Sequence, residues 1–151
     1  MSVVSNSSPL IALDYLGRLD LFEALYGEVW IPPAVAREVQ PRELPSTLRL
    51  RSLAQPVGAR ILHAALGAGE SEAIALAAET DADLVLLDDK AARRLAATIG
   101  LPYLGTVGIL LEAKSAGLVD VVRPLLDALR PLPFHISTPL YETALRKAGE
   151  R

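Results

Sequence analysis

The run Leu84-Val85-Leu86-Leu87 stops abruptly at Asp88-Asp89. Four aliphatic residues in succession offer no polar face, so a strand built from them is covered on both sides. Strands of that kind belong to parallel sheets with helices above and below. The rest of the chain follows suit. The short runs Val3-Val4-Ser5, Val29-Trp30-Ile31 and Pro102-Tyr103-Leu104 alternate with longer stretches rich in Ala and Leu. This alternation predicts an α/β domain with a mainly parallel sheet.

Punctuation between the runs places the helices. Ser7-Ser8-Pro9 reads as a helix start, with serine as N-cap and proline at the first helical position; that helix stops at Gly17. A short helix covers Leu19 to Leu25, and Pro32-Pro33 opens another through Glu38. The segment from Gln40 to Gly58, with Pro41, Pro45 and Pro56, reads as a loop plus one short helix, a flap over one edge. Further helices are expected from Glu70 to Glu79, Lys90 to Ile99 and Thr106 to Ala116. Another covers Val119 to Leu129, with a proline inside its first half. Phe134-His135-Ile136 alternates like an edge strand, and Thr138-Pro139 caps a last helix to Ala148. No repeat or linker interrupts the pattern, so residues 1–151 are expected to form one domain.

Composition narrows the chemistry. With 51% hydrophobic and 22% charged residues, the chain has material for a core and lacks the signature of disorder. Its 18 acids against 15 bases, a net −3, argue against a basic coat for unselective nucleic-acid binding but allow a local basic patch. There is no cysteine, which excludes disulfides, thiolate metal sites and cysteine nucleophiles. His63 and His135 are too few and too far apart for a zinc site. Reactivity therefore rests on carboxylates, hydroxyls and amides. The start lacks a basic region and Asp14 breaks its apolar run, unlike a signal peptide. Leu95 to Leu111 is uncharged but broken by Gly100, Pro102, Gly105 and Gly108, and a spanning helix needs about 20 apolar residues. The expectation is a soluble, cytoplasmic protein with no membrane partner.

Ligands of open parallel sheets gather beyond the carboxyl ends of the strands. Asn6 with Ser7 and Ser8 stands there, as do Asp88-Asp89 and Gly105-Thr106. Glu38 lies in the helix after Ile31, and Glu70 and Glu72 in the first turn of the helix after Gly69. One aspartate of Asp88-Asp89 suffices to cap the next helix, which leaves the other for a hard cation such as Mg²⁺ or Mn²⁺, ions that take oxygen ligands. Acids in a first helical turn also complement the helix dipole. Glu70 and Glu72 point about 200° apart at 3.6 residues per turn, which favours Glu70 as the ligand and Glu72 as its neighbour. Lys90, Arg93 and Arg94 follow the aspartates, either as a solvated face or as contacts to a phosphate backbone.

Together these motifs resemble a known family. Ser5-Asn6-Ser7-Ser8-Pro9-Leu10-Ile11 resembles the opening of PIN-domain nucleases, which usually carries aspartate where Asn6 stands. Ile31-Pro32-Pro33-x-Val35-x-x-Glu38 is similar to their second motif and Leu86-Leu87-Asp88-Asp89 to their late strand-end acid. Gly67-x-Gly69-Glu70-x-Glu72-Ala73-Ile74-Ala75 resembles a subgroup with a C-terminal domain of unknown function, matched here by residues 105–151 as a C-terminal helical part. The resemblance implies a three-layer α/β/α sandwich and Mg²⁺- or Mn²⁺-dependent hydrolysis of RNA. It further implies a VapC-like toxin with a small antitoxin as partner, and a homodimer. The implied catalytic set is Asn6, Glu38, Glu70, Asp88 and Asp89, and the implied metal ligands are these together with Glu72, supported by Ser8 and Thr106. Asn6 offers a carbonyl oxygen without charge, and so motivates an alternative, a PIN-like module that binds RNA or protein without cutting. A signalling receiver domain fits less well, because the aspartate pair does not follow the first strand and no lysine follows Pro102-Tyr103-Leu104.

Overall fold

A computed structural model describes residues 1–133 and 136–151. Its centre is one sheet of five parallel strands: β1 (Val3–Ser5), β2 (Val29–Ile31), β3 (Leu48–Leu50), β4 (Leu84–Leu86) and β5 (Tyr103–Leu104), in the order β3-β2-β1-β4-β5. The register aligns Val3 with Leu84, Val4 with Val85 and Ser5 with Leu86. Among the described residues nine helices connect and flank the strands. These are α1 (Ser7–Tyr15), α2 (Asp20–Tyr26), α3 (Pro33–Glu38), α4 (Pro56–Leu62), α5 (Ala68–Glu79), α6 (Lys90–Thr98), α7 (Thr106–Ser115), α8 (Arg123–Leu129) and α9 (Thr138–Ala148).

Side chains of successive strand residues point to opposite faces, and the two cores divide accordingly. Val3 and Leu86 pack with Leu10, Leu13, Phe22, Leu110 and Leu126 from α1, α2, α7 and α8. Val4, Val85 and Leu87 pack on the other face with Ile74, Leu76, Ala92 and Ala96 from α5 and α6. Leu84-Val85-Leu86-Leu87 thus feeds both layers, the α/β/α sandwich expected from its lack of a polar face. Tyr141, Ala144 and Leu145 of α9 join the first core. Glu150 ties down the end of the chain: it accepts from Lys114 Nζ and Val122 N, each at 2.7 Å, and from Arg123 N at 3.0 Å.

Several local expectations need correction. The stretch from Gln40 to Gly58 holds the edge strand β3 as well as the start of α4. Leu48 is buried, but Arg49 and Leu50 are exposed, so an edge position removed the apolar signal. Asn6, not a serine, occupies the N-cap of α1, and its side chain makes no capping bond. Helix α5 begins at Ala68, before Glu70. Helix α8 begins at Arg123, which puts Pro124 in its first turn, where the missing N–H costs nothing. Ser137, rather than Thr138, caps α9 by accepting from Leu140 N. Phe134 and His135 of the expected edge strand lie outside the described residues, and Ile136 is buried without strand pairing. No helix among the described residues is long and apolar enough to cross a membrane.

Candidate functional site

The chain leaves β1 towards β2 on one side of the sheet and returns through β4 on the other. The strand order therefore reverses between β1 and β4, where open α/β sheets form a crevice at their carboxyl ends. Asn6 N donates to Leu86 O at 3.0 Å, so the chain segments carrying Asn6 and Asp88 leave the sheet side by side.

On the β1 side, three elements meet around one carboxylate. Glu38 Oε1 accepts from Ser7 Oγ, and Glu38 Oε2 accepts from Gly69 N at 3.2 Å. The backbone at Gly69 comes close because glycine has no Cβ. A Cβ there would lie against Glu38 Oε1 and 2.9 Å from Asn6 Oδ1. The amide oxygen of Asn6 and the carboxylate of Glu38 therefore converge on a single point. Asn6 is 2% exposed, and its buried Oδ1 has no hydrogen-bond partner. An unsatisfied buried acceptor costs about 1–3 kcal/mol and is unusual enough to need a reason.

On the β4 side, the adjacent aspartates divide two tasks. Asp89 is the N-cap of α6 and accepts from Ala92 N at 2.9 Å. Asp88 turns towards α7 instead, where Oδ1 accepts from Thr106 N at 2.8 Å and Oδ2 from Thr106 Oγ1 at 2.6 Å. Burial pushes the Asp88 carboxyl above the usual aspartate range, although both Thr106 donors and the charge of Arg93 pull the other way. A cation in this place would offset that desolvation.

A cleft of about 450 Å³ opens beside Asp88. Ser8, Glu70, Asp88, Asp89, Lys90, Arg93 and Thr106 line it, with Ile136, Ser137 and Leu140 from the C-terminal part. The structure thus brings Glu70, Asp88 and Asp89 to one cleft, with Ser8, Thr106, Lys90 and Arg93 beside them. Asn6 and Glu38 meet separately at Gly69. Glu72 goes elsewhere: its Oε1 accepts from Ala34 N at 2.8 Å and binds α5 to the start of α3. Arg94 is exposed and does not line the cleft. Among the described residues, no three Asp, Glu or His side chains are already gathered as an ion cage.

Sequence reasoning missed Ser7 and Gly69 as holders of Glu38. The signal was the pair Gly67-x-Gly69 ahead of Glu70, since glycine suits places where another group comes close to the backbone. It also missed the apolar wall of Ile136 and Leu140, which depends on how the last helix folds back.

The donors at this site are carboxylate and amide oxygens, the chemistry suited to hard divalent cations. The orphaned Asn6 Oδ1 beside the Glu38 carboxylate fits such an ion. A family model described as "DUF3368: PIN domain" matches residues 2–150. No curated protein and no solved structure matches the chain. PIN domains are generally nucleases, which agrees with an acidic cleft at the switch point of a parallel sheet. With the match covering nearly its whole length, the chain belongs to the DUF3368 family of PIN domains.

Proposed function

We propose that this protein is a metal-dependent ribonuclease of PIN type, acting in the cytoplasm on RNA. The observation that carries the reading is the buried, partnerless Oδ1 of Asn6 converging with Glu38 beside Gly69. Asn6, Glu38, Glu70 and Asp88 are the residues that would hold a Mg²⁺ or Mn²⁺ ion. When bound, such an ion lowers the pKa of a water and neutralises charge on the phosphate.

The residues of the chain supply the rest. Ser7 Oγ and Gly69 N hold the Glu38 carboxylate by both oxygens. Thr106 does the same for Asp88, so neither acid is free to swing. Asp89 fixes the start of α6 and thereby the position of Arg93 one turn later. Lys90 and Arg93 on the cleft wall attract the phosphate backbone, and Ser8 stands where it can donate to a phosphate oxygen. Glu72 serves the site indirectly, by locking α3 and hence Glu38 against α5.

The test is cleavage of RNA by the purified protein with added Mg²⁺ or Mn²⁺. Cutting that stops with EDTA supports the reading; cutting that survives EDTA contradicts it. The reading extends to a toxin held in check by a small antitoxin, and to a homodimer, on the strength of the family resemblance. Growth arrest on expression, relieved by the product of an adjacent gene, tests the toxin role.

A second reading is a PIN-like module that binds RNA or protein without turnover. The neutral amide of Asn6 favours it, because it offers a cation an oxygen but no charge. Salt-sensitive RNA binding with no cutting in Mg²⁺ or Mn²⁺ would select it.

A further inference from the structure

A second depression of about 200 Å³ opens off the acidic cleft. The two share Asp88, Arg93, Val107 and Leu140. The second runs between β5 and α9, with Tyr103 on one side and Thr143 and Lys147 on the other. Gly105 keeps the junction open, since a Cβ there would stand 3.0 Å from Asp88 Oδ1. Arg93 joins the two spaces. It acts on the Asp88 carboxylate by charge, and its guanidinium carbon lies 5.2 Å from the centroid of the Tyr103 ring. Tyr103 is 37% exposed, whereas its partner in the sheet, Val85, is fully buried. Beyond Asp88 at the junction, the charged residues lining this groove are the cations Arg93 and Lys147.

A planar cation stacked on an aromatic ring is a surface on which a nucleobase packs. Such stacking tolerates any base, because every base has a π-face, and it requires that the base be unpaired. A flanking cation suits the phosphate that follows. We propose that the groove is a base subsite, in which the nucleotide next to the scissile phosphate stacks on the Arg93–Tyr103 pair and Lys147 takes the adjoining phosphate. The nucleotide held there must be unpaired. This inference rests on the ribonuclease reading.

The experiment compares KM for a single-stranded oligoribonucleotide of mixed sequence, and for the same strand made abasic at each position around the mapped cut. Binding of both strands is followed in parallel by fluorescence anisotropy. Tyr103→Ala is expected to raise KM about tenfold, a change equivalent to about 1.4 kcal/mol. One abasic position is expected to produce the same loss in the native chain and no further loss in Tyr103→Ala. Tyr103→Phe keeps the ring and restores the native value. Arg93→Lys keeps the charge but not the plane, and KM rises again. Tyr15→Ala, at an exposed tyrosine on α1, leaves KM unchanged.

RNA cut with the same KM by the native chain and Tyr103→Ala overturns the base subsite and leaves the ribonuclease reading standing. Binding that shows the Tyr103 and abasic dependence without cutting supports the subsite and overturns the ribonuclease reading. A chain that neither binds nor cuts overturns both. A Tyr103 effect without any abasic effect also overturns the subsite, and points to a protein side chain as the occupant.

Discussion

Thr106→Val removes one atom's worth of chemistry from the site at almost constant volume. In the native chain Asp88 is held by two donors, Thr106 N at 2.8 Å and Thr106 Oγ1 at 2.6 Å, and Thr106 is 1% exposed. Valine leaves Asp88 Oδ2 without its donor. Hydrogen bonds to charged groups contribute about 1.5–3 kcal/mol. In a chain of this size 1 kcal/mol corresponds to about 2–4 °C, so Tm falls by about 3–12 °C near pH 7. The pH dependence identifies the cause. The folded pKa of Asp88 is raised, chiefly by desolvation, against the pull of the Thr106 bonds and Arg93. A raised carboxyl gives stability that is complete below the ordinary aspartate pKa, about 3.9, and is lost as pH rises through the folded value. Loss of a bond to the carboxylate lifts that value further. The Thr106→Val deficit is therefore largest near neutrality and shrinks in acid, where Asp88 carries a proton. In an Asp88→Asn background it shrinks to about 1 kcal/mol at every pH, the worth of a neutral bond. Thermal melts of the two single variants and the double, in metal-free buffer at several pH values, close the cycle. Equal deficits at all pH values in both backgrounds would refute the reasoning, as would no deficit at neutral pH.

Other perturbations act on different parts of the account. Glu150→Gln weakens the tie to Lys114, Val122 and Arg123 and is expected to lower Tm by several degrees, since bonds to a charged group carry about 1.5–3 kcal/mol. Burial raises the Glu150 carboxyl, but Lys114 and the two backbone donors more than reverse this and hold it below the usual range. Its contribution is therefore present above the ordinary glutamate pKa and lost as pH falls through the folded value. The native-minus-Gln difference in Tm should shrink in acid, as the Thr106 deficit does, because in both cases the carboxylate that accepts the bonds becomes protonated. Gly69→Ala places a Cβ against Glu38 Oε1 and 2.9 Å from Asn6 Oδ1. Alanine is about 1 kcal/mol the better helix residue, but Glu38 must give up its bonds to Ser7 and Gly69 to make room, so Tm falls by a few degrees and RNA cleavage falls steeply. Cleavage equal to that of the native chain would mean that the convergence at Gly69 has no role.

The sheet was legible because its central strands have no polar face. Val3-Val4 and Leu84 to Leu87 contact both cores, and nothing but helices on each side satisfies that pattern. Strand β3 was hidden because only Leu48 of its three residues is buried; its backbone is held from next door, by Val29 N to Thr47 O and Arg51 N to Ile31 O. At the site, the aspartate pair announced one cap and one residue to spare, but the dipeptide does not say which is which. That assignment comes from the backbone turn, which aims Asp89 at Ala92 and Asp88 at Thr106, 18 residues further on. Glu72 looked like part of the acidic set, yet its partner is an N–H 38 residues away. Helical spacing put Glu70 and Glu72 on different faces, and the structure turns Glu70 to the cleft and Glu72 to Ala34. The role of Tyr103 was invisible because it depends on a neighbouring helix presenting Arg93 to its ring.

The central claim is that Asp88, with Asn6 and Glu38, forms a metal-dependent cutting site for RNA. The measurement that meets it most directly is the cleavage rate of single-stranded RNA in Mn²⁺ for the native chain and for Asp88→Asn. The comparison is made at matched folded fractions, with EDTA as the metal-free arm. Asparagine keeps the shape and can still bond to both Thr106 groups, so it isolates the charge. A site built on this charge predicts a folded Asp88→Asn protein slower by about 10–100-fold, and a native chain silenced by EDTA. A variant that cuts RNA at the native rate, or native activity that persists in EDTA, would contradict it.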